Sequence, residues 1–171
     1  MGALIGLPPT LSELYGSDVK KSYQVGGMPL CLGVLTTAFS TFCHLMLLGG
    51  ILYFAAPLAF DEALPAHPAE YFLALALLIA VTLSIGCALG LAVKHQSKLT
   101  MVCQIFFLPS ILLSGILVPV ELLPTPLAEL GMLFPAYWGY WSMQESGMNW
   151  NNLWPLFAIL LAAIAVCSIL L

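Results

Sequence analysis

Acidic, basic or imidazole side chains set inside apolar stretches are the natural place to look for chemistry in this sequence. Only His44 lies deep within such a run. An ionisable group inside a membrane segment marks a functional path by default, so His44 is a candidate for lining a substrate path. The competing reading is a neutral imidazole, the cheapest of these groups to bury. No carboxylate lies in the same run to pair with it and no second histidine is near, so neither acid–base nor metal chemistry is expected there. Cys31, Cys43, Cys87, Cys103 and Cys167 sit in or at the edge of apolar runs without C-x-x-C spacing. They read as small packing residues, with neither a zinc site nor a disulfide framework. No G-x-x-x-x-G-K-[ST] loop occurs, so nucleotide binding by that route is excluded. Glu121 and Glu129 read as groups that hold a helix at the aqueous edge, and His67 and His95 as solvated loop residues. Neither a cofactor nor covalent chemistry is expected of this chain.

The elements that must position these residues are membrane helices. Of 171 residues, 61% are hydrophobic and 7% charged, with mean hydropathy +1.04, whereas about a quarter of a soluble domain is charged. A helical span takes roughly 20 apolar residues, and four stretches satisfy that need: 30–58, 71–93, 101–118 and 153–171. Backbone groups in lipid must be satisfied within their own segment, so each is a helix. With no arginine, four lysines and a pI near 5.1, the chain lacks the cations that nucleic-acid phosphates demand. The first residues show no basic region followed by a small-x-small cleavage site, so no cleaved signal is expected.

Charges sort by sign between the spans. Lys20, Lys21, Lys94 and Lys98 fall on one side, while Asp61, Glu62, Glu70, Glu121, Glu129 and Glu145 fall on the other. The positive-inside rule makes the lysine side cytoplasmic, with both termini inside and the chain in the cell (plasma or inner) membrane. Gly86-x-x-x-Gly90 is a small-xxx-small pattern that permits close helix approach, although ordinary glycine usage in membrane helices explains it equally. Pro109 is expected to kink the third span, and Pro155 sits in the first turn of the fourth, where proline is tolerated.

Two stretches outside the spans stand apart. Residues 9–29 carry a charged cytoplasmic segment, in which Thr10 or Ser12 caps a short helix with Glu13 and Asp18 early and Lys20 and Lys21 late, an order that suits the helix dipole. It reads either as a docking surface for a soluble partner or as a membrane-surface helix. Residues 119–152 form the extracellular region. It begins where the third helix runs into Ser114-Gly115 and exits at Val118-Pro119. Within it a proline-bracketed apolar piece, Leu127–Phe134, is too short to span and too apolar for an ordinary loop. That piece is expected to lie at, or dip into, the outer interface. Tyr137, Trp138, Tyr140 and Trp141, with Trp150 and Trp154, suit an interfacial aromatic belt or the lining of an exit for an amphipathic substrate.

Leu113-Ser114-Gly115-Ile116-Leu117-Val118-Pro119, Leu122-Leu123-Pro124 and Phe134-Pro135-Ala136-Tyr137 together resemble the permease subunits of type-2 ABC exporters, the ABC-2 membrane family. Ile5-Gly6-Leu7-Pro8, Ser12-Glu13 and Val19-x-Lys21-x-Tyr23-x-Val25 are similar to the end of that family's second span and its coupling helix. The resemblance implies an all-α polytopic bundle of about four transmembrane helices, with a cytoplasmic coupling helix and an extracellular re-entrant helix, in one domain over 1–171. It implies coupling to a nucleotide-binding ATPase subunit through Glu13, Lys20, Lys21, Tyr23 and Val25. It implies an extracellular gate at Ser114, Gly115, Pro119, Leu127, Leu130 and Phe134. It further implies a second permease subunit, homo- or heteromeric, and outward movement of a drug-, peptide- or lipid-like substrate. The family's first span and most of its second are expected to be absent, and Gly26-Gly27 stands where many relatives have Thr-Pro. A small structural or assembly membrane protein, or a nonfunctional permease fragment, is the alternative reading. An intramembrane enzyme is disfavoured by the shortage of buried polar residues.

Overall fold

A computed structural model describes residues 3–14, 30–60, 67–93, 95–118, 122–144 and 150–170. The chain is an all-α membrane protein, with no strand among the described residues. Its helices are α1 (Ala3–Leu14), α2 (Leu30–Phe60), α3 (Pro68–Ala92), α4 (Gln96–Leu112), α5 (Thr125–Gly131), α6 (Pro135–Gln144) and α7 (Trp150–Leu170). Among the described residues two helices are long and apolar enough to cross a membrane, Leu32–Ala59 within α2 and Pro68–Ala92; Ser97–Leu112 and Leu153–Ile169 are shorter apolar helices.

The bundle is organised around α3, which meets α1, α2, α4, α6 and α7 directly. Pro68 opens it at a position where its missing N–H costs nothing, and Glu70 in the first turn complements the dipole. At the other end Val93 turns extended while its N–H still reaches the Leu89 carbonyl at 3.1 Å. Two core clusters flank this helix. On one side Ile79, Leu83 and Cys87 pack with Leu7 and Leu11 of α1 and Val34 of α2. On the other, Val81 packs with Leu153 and Leu156 of α7, backed by Trp138 of α6.

Small residues set these approaches. A Cβ on Gly90 would lie 3.2 Å from the Leu11 Cβ and 3.3 Å from the Pro8 Cα, so α1 rests directly on the last turns of α3. Gly86 is buried on the same helix. The pattern Gly86-x-x-x-Gly90 is therefore a packing surface. Near the opposite end, a Cβ on Gly49 of α2 would meet the Leu75 Cδ2 at 2.5 Å. There Tyr53 packs against Tyr71 and Phe72 with ring centroids 5.2 and 5.3 Å apart, pinning the last turns of α2 to the first turn of α3. The remaining faces of α2 are uncovered by this chain: Leu35, Phe39, Leu47, Ile51, Phe54 and Leu58 are all exposed.

Hydroxyls within the helices are satisfied by their own backbone. Thr37 donates to the Gly33 carbonyl (2.8 Å), Thr41 to Thr37 (2.8 Å), Thr82 to Leu78 (2.9 Å) and Ser84 to Ala80 (2.8 Å). Such back-bonding lets a hydroxyl sit in apolar surroundings without a tertiary partner.

Two expectations need correction. Thr10 is not a helix cap: it lies inside α1 and its Oγ1 donates to the Gly6 carbonyl at 2.9 Å. α1 itself runs from Ala3 through Pro8 and Pro9, held together by the burial of Leu7 and Leu11 against α3 where prolines remove backbone donors, while the expected charged helix carrying Asp18, Lys20 and Lys21 lies outside the described residues. The third apolar helix also closes at Leu112, short of Val118. Leu113 caps it by donating its N–H to the Pro109 carbonyl at 2.9 Å, and Gly115 follows at φ 91°, the left-handed termination that glycine permits.

Core packing here has a measurable weight. Leu156 is fully buried, and in a bilayer the separated helix remains in hydrocarbon, so the transfer part of a truncation vanishes and the cavity part remains. Leu156→Ala is expected to lower stability by about 2 kcal/mol, the low end of large-to-small core changes. The folded fraction in mixed micelles, followed against added denaturing detergent, reads this directly. An unshifted midpoint would remove α7 from the core.

Candidate functional site

The C-terminal end of α4 and the short helix α5 come together as one unit. Ser114 is fully buried, its Oγ donates to the Ile111 carbonyl at 2.8 Å, and the Ile116 N–H reaches that same Oγ at 3.4 Å. The hydroxyl thus ties the helix end to the departing chain, and Gly115 supplies the turn. Pro124 and Pro126 start α5, with the Leu127 and Ala128 amides donating to the Pro124 carbonyl at 2.9 and 3.1 Å. Its last residue, Gly131, is buried, and a Cβ there would sit 2.5 Å from the Leu113 carbonyl oxygen. Backbone therefore lies against backbone, with no room for a side chain.

Beyond α5 the chain folds back at once. The Leu133 and Phe134 amides continue the turn to Leu130 and Gly131 (3.2 and 3.0 Å), and Pro135 opens α6. The Trp138 indole N–H donates to the Met132 carbonyl at 2.7 Å, fastening α6 to the end of α5. Ala136 and Gly139 face the bundle: Ala136 is buried, and a Cβ on Gly139 would press within 2.7 Å of the Leu78 methyls. Tyr137, Trp138, Tyr140 and Trp141 form a chain of edge and tilted ring contacts 5.3 to 6.3 Å apart. They are half-buried on α6, and Trp138 packs against the Val81–Leu156 cluster. A helix over 135–144 was not anticipated from the sequence. Its signal was Pro135 followed by the small residues Ala136 and Gly139.

Ser114, Gly115 and the end of α5 are thus brought together. Leu127 and Leu130 are exposed on the outer face of α5, Phe134 is half-buried at the fold-back, and Pro119 lies outside the described residues. Glu129 is exposed. His44 sits on the uncovered face of α2 with Ser40 and Cys43 beside it, away from the contacts with α3. Glu13 falls in α1, but its side chain is outside the described residues, as are Lys20, Lys21, Tyr23 and Val25. Among the described residues no group of three His, Cys, Asp or Glu side chains could hold a metal ion.

Gly115 gives a direct check on the turn. Gly115→Ala places a Cβ at φ 91°, a conformation costing an L-residue roughly 1–2 kcal/mol. The thermal midpoint in detergent should fall accordingly, and an unchanged midpoint would mean that the chain leaves α4 by another path.

Comparison with curated proteins and with solved structures returned no match. A family model described as ABC-2 family transporter protein matches residues 13–171, nearly the whole chain and all of the unit built by α4, α5 and α6. The match covers the apolar helices described above, and this chain belongs to the ABC-2 family of transporter proteins.

Proposed function

We propose that this chain is the permease subunit of an ATP-driven exporter, moving a drug-, peptide- or lipid-like substrate outward with a separate ATPase subunit and a second permease subunit. In this reading α2, α3, α4 and α7 cross the cell membrane, the termini are cytoplasmic, and the stretch between α4 and α7 is the extracellular region. The observation that carries it is the docked unit at the end of α4: the buried Ser114, the Gly115 turn, and Gly131 of α5 seated on the Leu113 carbonyl. A short apolar helix held against the end of a span by backbone contact forms a closure whose release opens the end of the bundle. Ser114, Gly115, Pro119, Leu127, Leu130 and Phe134 form this gate. Glu13, Lys20, Lys21, Tyr23 and Val25 take the ATPase contact at the other end, close in sequence to α1, which rests on Gly90 of α3. A push on α1 is then a push on the central helix. His44, on the outer face of α2, contributes to the substrate path only where another subunit covers that face.

The test is co-purification of the tagged chain from its own membrane. Recovery of a nucleotide-hydrolysing subunit, lost on Glu13→Ala with Lys21→Ala while the chain still inserts, is expected. Recovery of the chain without any ATPase, or undiminished association in the double variant, counts against the permease role or the coupling contact respectively.

A further inference from the structure

One buried polar atom in this bundle has no partner. The indole Nε1 of Trp141 is sealed from solvent and meets no hydrogen-bond acceptor. Every other buried side-chain nitrogen or oxygen among the described residues is paired. Trp138, one turn earlier on α6, donates to the Met132 carbonyl at 2.7 Å, and Ser142 donates to the Trp138 carbonyl at 2.7 Å. Trp141 is met by rings instead, Tyr137 at 6.1 Å and Tyr140 at 6.3 Å between centroids. A buried indole N–H normally finds an acceptor, and one left unpaired carries the loss of its water bond as a standing cost.

That cost falls on one end of a helix that is otherwise well seated. The first half of α6 is held by buried Ala136, by Gly139 against the Leu78 methyls, and by Trp138 against the Val81–Leu156 cluster. Its polar tie, from Trp138 to Met132, runs to the end of α5, where Gly131 rests on the Leu113 carbonyl. Lifting α5 therefore releases the tie that fastens α6. Once free to tilt, a ten-residue helix about 15 Å long carries its last turn a considerable way. The aqueous edge of a membrane supplies acceptors to an indole N–H, and the neighbouring Tyr137 and Tyr140 share that preference. The seated arrangement is thus the one in which Trp141 is worst served. A ring of similar shape without the N–H would carry none of this cost.

We propose that Trp141 is a positioning residue of the gate. Its unpaired N–H raises the energy of the seated α6. During the transport cycle α6 leaves that seat, and the N–H passes to an acceptor at the membrane–water interface. The unpaired donor thereby lowers the work of opening. This inference rests on the exporter reading, in which ATP drives the release of α5 from α4.

The experiment uses the full chain with the ATPase subunit that co-purifies, in lipid nanodiscs, and follows amide exchange over 135–144 with and without ATP and magnesium. In the wild type ATP should speed exchange there severalfold. Trp141→Phe keeps an aromatic ring and removes the N–H. Resting exchange over 135–144 should slow by roughly tenfold, as expected for removing one unpaired buried donor, and the ATP-driven increase should shrink. The isostere β-(3-benzothienyl)alanine at 141, with sulfur in place of N–H, preserves the whole bicyclic ring and decides the outcome where the smaller ring leaves a void. Unchanged or faster resting exchange in the isostere would show that the N–H is not a burden on the seated helix. Slower resting exchange with an undiminished ATP response would make the orphan a packing defect with no part in gating. Either result overturns the proposal, and so does wild-type exchange over 135–144 that ATP leaves unchanged. Recovery of the chain without any ATPase fails the exporter reading itself, and this proposal with it.

Discussion

Gly131→Val is expected to abolish export while leaving the chain inserted in the membrane. A Cβ at this position meets the Leu113 carbonyl oxygen at 2.5 Å. That neighbour is backbone at a helix end already fixed by the Leu113–Pro109 and Ser114–Ile111 hydrogen bonds, so it cannot give way cheaply. The short helix must lift instead, and the Met132 carbonyl moves away from the Trp138 indole. Overpacking of this kind typically costs about 1–3 kcal/mol, and α5 is a seven-residue helix with little else to hold it. Amide hydrogen exchange over 123–134 should therefore rise sharply, with the exchange of α3 unchanged. Gly139→Ala is the internal comparison. Its Cβ meets the ends of the flexible Leu78 side chain, so a rotamer shift relieves it and the effect should be much smaller. Equal effects at the two glycines, or normal export in Gly131→Val, would sink the docked-gate geometry.

The second large effect is expected at Gly90. Alanine there is tolerated if Leu11 yields by a few tenths of an ångström, since the nearest atoms stand at 3.2 and 3.3 Å. Leucine cannot be accommodated, because the Pro8 backbone is among those atoms. Gly90→Leu should force α1 off α3 and expose Leu7 and Leu11, again at about 1–3 kcal/mol of strain if the helices stay together. Protease cleavage within 15–29 should accelerate, and ATPase association should fall together with export. A variant that loses export but keeps a full complement of ATPase would show that α1 transmits motion without being the docking platform. One that loses neither would mean that α1 is not seated as described.

Much of this was legible in the sequence, for identifiable reasons. Hydrophobic composition and the near absence of charge force helices in a bilayer, and Gly86-x-x-x-Gly90 offered a close approach as one of two equal readings. Ser114-Gly115 stood out in the sequence, but the exit was placed at Val118-Pro119, beyond the left-handed Gly115 where the chain leaves the helix, and the prolines around the short apolar piece marked α5. What escaped was which face packs on which. In a membrane helix both faces are apolar, so α2 carries no polar stripe to say that Val34 and Gly49 turn inward while Leu35 and Ile51 turn out. The aromatic run escaped for a related reason: Trp and Tyr suit an interface belt and a docked helix equally, and only Gly139 against Leu78 distinguishes them. That α1 runs through Pro8-Pro9 was not legible either, because a local breaker signal is overridden there by the tertiary burial of Leu7 and Leu11.

The position of α3 at the centre of the bundle also bears on biogenesis. Its Val81 surface is covered by Leu153 and Leu156, which belong to a helix made well after it. At about 5–20 residues per second, α3 enters the bilayer several seconds before its largest partner exists, with the small residues and Trp-binding surface of its far side still bare. During that interval the nascent chain is a half-assembled bundle, open to competing helices and to membrane quality control. A ribosome stalled after Gln144 should therefore yield a chain that is fully inserted, rapidly degraded, and rescued by supplying α7 as a separate segment.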